Sequence, residues 1–137
     1  MPDRDVTLEE LEREAARAWG VVGPHGVIWL SGELGAGKTA FVQAVTRAAR
    51  AQPARSPTYA LVHEYASPEG PVIHVDCYRL RTPDEAFDLD LEALRRRARL
   101  LLIEWPERAG RYAPAPDLHL RLHHVPDPER RRLEQVA

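Results

Sequence analysis

Gly32-Glu33-Leu34-Gly35-Ala36-Gly37-Lys38-Thr39 matches G-x-x-x-x-G-K-[ST], a spacing suited to holding polyphosphate. Glycines let successive backbone N–H groups turn inward around phosphate oxygens with no Cβ in the way. Lys38 supplies a point charge for the β- and γ-phosphates, and Thr39 offers a hydroxyl to Mg²⁺. A helix starting there turns the positive end of its dipole toward the anion. At ordinary residue frequencies the pattern arises by chance in a chain this short about half a per cent of the time. Nucleotide binding, with ATP and Mg²⁺ as ligands, is therefore the expectation.

Hydrolysis also needs an oriented metal and an in-line water, usually supplied by a carboxylate at the end of a neighbouring strand. Asp76 closes Val72-Ile73-His74-Val75, and Glu104 closes Leu100-Leu101-Leu102-Ile103. Parallel strands would deliver both to the edge that carries the phosphate loop. Each has a plain alternative as a helix cap or surface charge, but a carboxylate directly after four apolar residues is poorly explained by solvation. Pro57 stiffens Ser56-Pro57-Thr58, a loop that could bring the Thr58 hydroxyl toward the γ-phosphate as switch loops do. Trp105 could cover the nucleotide or simply pack at the rim. His63, His74, His119, His123 and His124 lack metal-ligand spacing and read as structural or exposed.

The elements that must position these groups follow from periodicity. Thr7-Leu8-Glu9-Glu10 has capping-box form, and Leu8, Leu11, Ala15 and Trp19 then recur at helical spacing. Val27 to Leu30 reads as a buried parallel strand feeding the glycine loop, and Thr39 to Arg50 as a helix with Phe41, Val42 and Val45 on one side. Tyr59 to Tyr65 and Val72 to Asp76 read as a hairpin across a Pro/Gly turn. A helix is expected from about Pro83 to Arg97, with Phe87, Leu91 and Leu94 inward, followed by a strand from Leu100 to Glu104. Leu118 to Leu122 alternates like a half-exposed strand, and Arg132 to Val136 is placed to pair with it. The fold class expected is α/β: a P-loop NTPase-like three-layer fold, its central sheet mostly parallel with antiparallel additions, and helices on both faces.

Bulk properties narrow the function. The 137 residues fit one domain, 1–137, and the 44 % hydrophobic content supports a packed core. Cys77 is the lone cysteine, so no internal disulfide forms, and no apolar run is long enough for a membrane span; a reducing cytoplasm is expected. A net charge of −2 argues against a protein that coats nucleic acid. Arg95-Arg96-Arg97-Ala98-Arg99 and Arg130-Arg131-Arg132 read as solvated faces.

The glycine loop, Ser56-Pro57-Thr58-Tyr59, His74-Val75-Asp76-Cys77-Tyr78-Arg79-Leu80 and Ile103-Glu104-Trp105-Pro106-Glu107, in that order and spacing, resemble the TsaE (YjeE) family over nearly the whole chain. The resemblance implies an ATPase that assists the TsaB–TsaD pair in installing threonylcarbamoyladenosine next to the anticodon of tRNA. It would be weak alone, active when docked on those partners, and in contact with tRNA only indirectly. It also implies that Leu34, Gly35, Ala36, Gly37, Lys38 and Thr39 bind phosphate, and that Thr39 and Glu104 hold Mg²⁺. Asp76 becomes a metal or water-positioning carboxylate, Thr58 a switch-like residue, and Trp105 a neighbour of the nucleotide. Arg130 falls where the family places a nucleotide-contacting arginine, with Arg131 and Arg132 alongside. Asp90 stands where glycine is common, and glycine would reach φ > 0 more easily.

Two other functions share these residues. A stand-alone nucleoside or small-molecule kinase uses the same loop but needs an acceptor pocket and lid, for which little chain is left. A binding module whose shape nucleotide sets would not need Asp76 and Glu104. No Asn-Lys-x-Asp sequence reads guanine, which favours adenine.

Overall fold

A computed structural model describes residues 3–33, 35–52 and 61–136. The elements run β1 (Arg4–Thr7), α1 (Leu8–Val21), β2 (Gly26–Gly32), α2 (Lys38–Ala48), β3 (Val62–Tyr65), β4 (Val72–Asp76), α3 (Pro83–Leu89), α4 (Leu91–Arg97), β5 (Leu100–Glu104), β6 (Leu118–His124) and β7 (Arg130–Val136), with short 3₁₀ turns at Pro106–Arg108 and Gly110–Tyr112. The strands form one sheet in the order β1-β7-β6-β2-β5-β4-β3. Its centre, β6-β2-β5-β4, is parallel, and β1, β7 and β3 join antiparallel at the edges.

Parallel strands are covered on both faces, and the sequence of β5 shows why: all five residues of Leu100–Glu104 are buried. On one face α1 and α2 bring Leu11, Phe41 and Val45 onto Ile28, Leu30 and Leu122. On the other, Ala86 and Leu91 pack with Ile73, Val75, Leu101 and Ile103. The sheet is thus the middle of three layers, as the α/β reading expects. Strand β6 alternates as read, with Leu120 and Leu122 buried and their neighbours half-exposed, and it pairs antiparallel with β7. Among the described residues no helix is long and apolar enough to cross a membrane.

Helix α1 starts on the capping box. The Glu10 N–H donates to Thr7 Oγ1 (3.2 Å), and the Thr7 N–H donates to the Glu10 carboxylate (3.1 Å), an arrangement that stabilises a helix start by about 1 kcal/mol. Leu11, Ala15 and Trp19 are buried as the stripe requires. Leu8 is not: at 57 % exposure it opens the first turn and lines a groove with Leu11, Gly37 and Ala40 rather than entering the core.

The segment from Pro83 to Arg97 corrects the sequence reading more deeply. It is two helices, broken at Asp90, which takes the left-handed conformation (φ 49°, ψ 64°) and caps α4 by accepting from the Ala93 N–H (3.2 Å). The break ends the helical phase linking Phe87 to Leu91 and Leu94. Leu91 stays buried, while Phe87 turns out to 66 % exposure and meets Tyr112 edge-on, 5.6 Å between ring centroids. Strand β1 carries no periodic sequence signal, since its four residues bury only Val6, too little to show as alternation.

Both arginine runs lie in surface ion pairs. Arg95 meets Glu92, Arg97 meets Glu64, and Arg132 meets Asp5. Pairs this exposed add little to stability, because water screens the charges and ordering two long side chains costs entropy.

Candidate nucleotide site

Strand β2 ends at Gly32, where φ is +136° and an added Cβ would stand 2.3 Å from the Leu122 carbonyl oxygen on β6. Only glycine lets the chain leave the sheet so close to its neighbour. Gly35 (φ +78°) and Gly37 (φ +108°) supply two more left-handed turns, and Gly37 then opens α2 with no side-chain cap. An uncapped helix start after a glycine loop leaves backbone N–H groups for an anion. Leu34 lies outside the described residues, as does Ser56-Pro57-Thr58.

Lys38 begins α2 with its side chain turned back over the loop. It is 5 % exposed; its ammonium donates to the Gly32 carbonyl and sits 4.3 Å from the centre of the Trp105 ring. Burial pushes its pKa below the ordinary lysine value, while Glu104, Asp76 and Glu107 pull it back up. The ammonium therefore faces carboxylates across a partly dry site, where charge interactions are strengthened. Thr39 is exposed at the same helix end.

The two carboxylates arrive as the strand ends predicted. Asp76 pairs in register with Glu104 across β4 and β5, and Glu104 pairs with Leu30 on β2. The chain after β4 is tied over this edge, since the Cys77 N–H donates to the Glu104 carbonyl (3.0 Å) and the Tyr78 N–H to Asp76 Oδ1 (3.0 Å). Glu104 is 5 % exposed, and its Oε1 has no hydrogen-bond partner among the described residues. A buried carboxylate oxygen left so is costly unless a cation or donor completes it. The Glu104 and Asp76 carboxylates at adjacent strand ends and the Thr39 hydroxyl at the loop are an oxygen-rich donor set of the kind that suits a hard cation such as Mg²⁺.

Trp105 takes a left-handed backbone (φ 55°) and donates its N–H to the Leu30 carbonyl (3.3 Å). Its half-buried ring carries the Lys38 ammonium over its face and contacts the Tyr78 ring, 5.1 Å between centroids. It thus forms the wall beneath the loop's lysine.

Of the three C-terminal arginines, the one reaching the loop is Arg131, with Nη2 3.4 Å from the Gly35 carbonyl oxygen. Arg130, the residue the resemblance favoured, instead faces Glu10 and Asp127 (3.8 and 3.7 Å). The alternation of β7 explains the choice, because Arg131 shares a sheet face with Leu133 and Arg130 does not. Another contact invisible to linear reading is His74 Nε2, 3.5 Å from Glu104 Oε1; it depends on cross-strand placement, which no spacing along the chain reveals.

Comparison with known proteins agrees with this architecture. The family model described as "Threonylcarbamoyl adenosine biosynthesis protein TsaE" matches residues 6–133. A "tRNA threonylcarbamoyladenosine biosynthesis protein TsaE" from Rickettsia bellii is 32 % identical over 125 residues, 89 % of this chain and 86 % of the relative. The protein of the same description from Aquifex aeolicus is 41 % identical over 85 residues, 60 % of this chain and 59 % of its own length. In fold, the chain is similar to the crystal structure of YdiB from Bacillus subtilus, with a TM-score of 0.71 and 24 % identity over 98 % of this chain and 86 % of that one. The glycine loop, the paired strand-end carboxylates and the family match across residues 6–133 lead to one conclusion: the chain belongs to the TsaE family of tRNA threonylcarbamoyladenosine biosynthesis.

Proposed function

We propose that this chain is a Mg²⁺-dependent ATPase of threonylcarbamoyladenosine biosynthesis, working in the cytoplasm as a single domain and hydrolysing ATP when docked on the TsaB–TsaD pair. The observation that carries this reading is the convergence of Lys38, Asp76 and Glu104 at the sheet edge where the glycine loop begins. A protein that only bound nucleotide would have little use for two carboxylates opposite the phosphate-binding lysine.

In this reading the backbone of residues 34–39 and the Lys38 ammonium hold the phosphates, with Lys38 exchanging the Gly32 carbonyl for them. Thr39 and Glu104 hold the metal, and Asp76 orients the metal shell or the attacking water. Bound Mg²⁺ neutralises phosphate charge as it develops. Thr58 acts as the switch residue. The groove between Thr7, Leu11, Ala40 and Arg131 adjoins the start of α2 and is proposed to take the adenine, with Arg131 rather than Arg130 as the nucleotide-contacting arginine. Activity is weak alone and rises on docking, and tRNA is met only through the partners.

Titration with a fluorescent ATP analogue and MgCl₂ tests the binding half directly. Saturable binding that Lys38→Ala weakens supports the reading; binding unaffected by that change would place the nucleotide elsewhere.

A further inference from the structure

The proposed mechanism gives no role to the buried imidazole beside Glu104. Glu104 Oε1 and His74 Nε2 lie 3.5 Å apart, with side chains 7 % and 13 % exposed, and neither atom has a hydrogen-bond partner among the described residues. Two adjacent buried polar atoms without other partners are best explained as partners of one another.

Their placement is determined by the sheet. His74 and Asp76 are two residues apart on β4 and so share a face. Asp76 is in register with Glu104, and His74 with Leu102, which puts the imidazole diagonally behind the Glu104 carboxylate. His63, directly opposite His74 on β3, stacks on it with ring centroids 5.8 Å apart and planes 21° from parallel. The imidazole is thereby held between a stacked ring and a carboxylate, and its Nε2 edge meets Oε1.

We infer that His74 is a positioning residue for Glu104: its Nε2–H anchors one carboxylate oxygen and leaves the other to the metal. This rests on the reading of the loop and carboxylates as a magnesium–nucleotide site. A distance of 3.5 Å is long for a hydrogen bond, and such contacts commonly tighten only when a site is loaded. Groups that orient a metal ligand typically change metal affinity about 10- to 100-fold when removed. They have no reason to change the affinity for metal-free nucleotide.

The test uses the full chain, a fluorescent ATP analogue, and MgCl₂ or EDTA. His74→Phe keeps a stacked ring without the donor, and His74→Gln returns an N–H near the Nε2 position. His74→Phe is expected to weaken Mg²⁺ binding by about 10-fold or more, with affinity in EDTA held within about two-fold. His74→Gln is expected to recover most of the loss. Unchanged Mg²⁺ binding in His74→Phe, or no recovery in His74→Gln, overturns the inference. If His74→Phe does not fold, ¹⁵N NMR of the wild-type imidazole decides: a proton on Nε2 supports the inference and a bare Nε2 overturns it. Wild-type protein that binds no nucleotide would instead sink the functional reading, while the NMR measurement still reports whether His74 donates to Glu104.

Discussion

Asp76 and Glu104 stand opposite one another at the C-terminal ends of adjacent parallel strands, in direct register. Their environments differ. Asp76 accepts a backbone N–H from Tyr78, whereas Glu104 is buried with its Oε1 3.5 Å from His74 Nε2. Such asymmetry suits two roles, Glu104 as metal ligand and Asp76 as the group orienting water or the metal shell. Glu104→Gln, which preserves shape, should reduce Mg²⁺-dependent nucleotide affinity about 10-fold or more and leave folding stability within about 1 kcal/mol. Asp76→Asn should lower turnover more than affinity. Parallel nucleotide titrations and phosphate-release assays on the two variants separate these outcomes.

Lys38 combines a desolvated ammonium with nearby carboxylates, and its charge-assisted contacts to phosphate should contribute about 1.5–3 kcal/mol. Lys38→Ala should therefore weaken ATP binding about 10- to 100-fold. Far-UV circular dichroism should remain that of the parent, since alanine is a good helix former at the first residue of α2.

Gly32 is irreplaceable for a steric reason. An added Cβ meets backbone on β6, which cannot move aside as a flexible side chain would. Gly32→Ala should destabilise the fold by about 2 kcal/mol or more, read by urea denaturation. At Gly37 the added Cβ meets the Leu11 side chain at 3.4 Å, so Gly37→Ala carries backbone strain but no backbone collision.

Much of this site is legible in the chain, and the failures have local causes. The glycine loop, the Thr7/Glu10 capping box and the apolar run ending at Glu104 are short-range signals whose geometry depends only on neighbours. Phe87 departs from the inward face that a continuous helix predicts, because the single left-handed residue Asp90 resets the helical phase between it and Leu91. Arg131 replaced Arg130 at the loop because alternation across β7, not proximity in sequence, decides which guanidinium reaches it. The His74–Glu104 contact joins two strands separated by two helices in the chain.

Asp90 offers a test of that phase break. Its φ of 49° disfavours most side chains, while its carboxylate caps α4. Asp90→Gly relieves backbone strain and loses the cap, so stability should stay within about 0.5 kcal/mol. Asp90→Ala loses the cap and keeps the strain, and should be about 1–2 kcal/mol less stable. Equal effects in thermal unfolding would contradict this explanation.

Cys77 supplies a pH signature. Burial, then the negative charges of Asp76, Glu107 and Glu104, push its thiol up to about 12. The thiol ionises more easily in the unfolded chain, near its ordinary value of about 8.5. The unfolded state therefore holds fewer protons in the window between, and stability falls as pH rises through it, by at most about 1.4 kcal/mol per pH unit. Below that window the contribution is fully present. Cys77→Ala should flatten the alkaline decline in denaturant midpoint, and native Cys77 should resist alkylation near pH 8.

Partner-gated hydrolysis is tested most directly by phosphate release from ATP and Mg²⁺, measured for the chain alone and again with the TsaB–TsaD pair, with Lys38→Ala beside it. Slow release alone, strong stimulation by the pair and no stimulation in Lys38→Ala is the expected result. Release that the pair leaves unchanged, or that Lys38→Ala matches, would contradict a partner-gated ATPase on this loop.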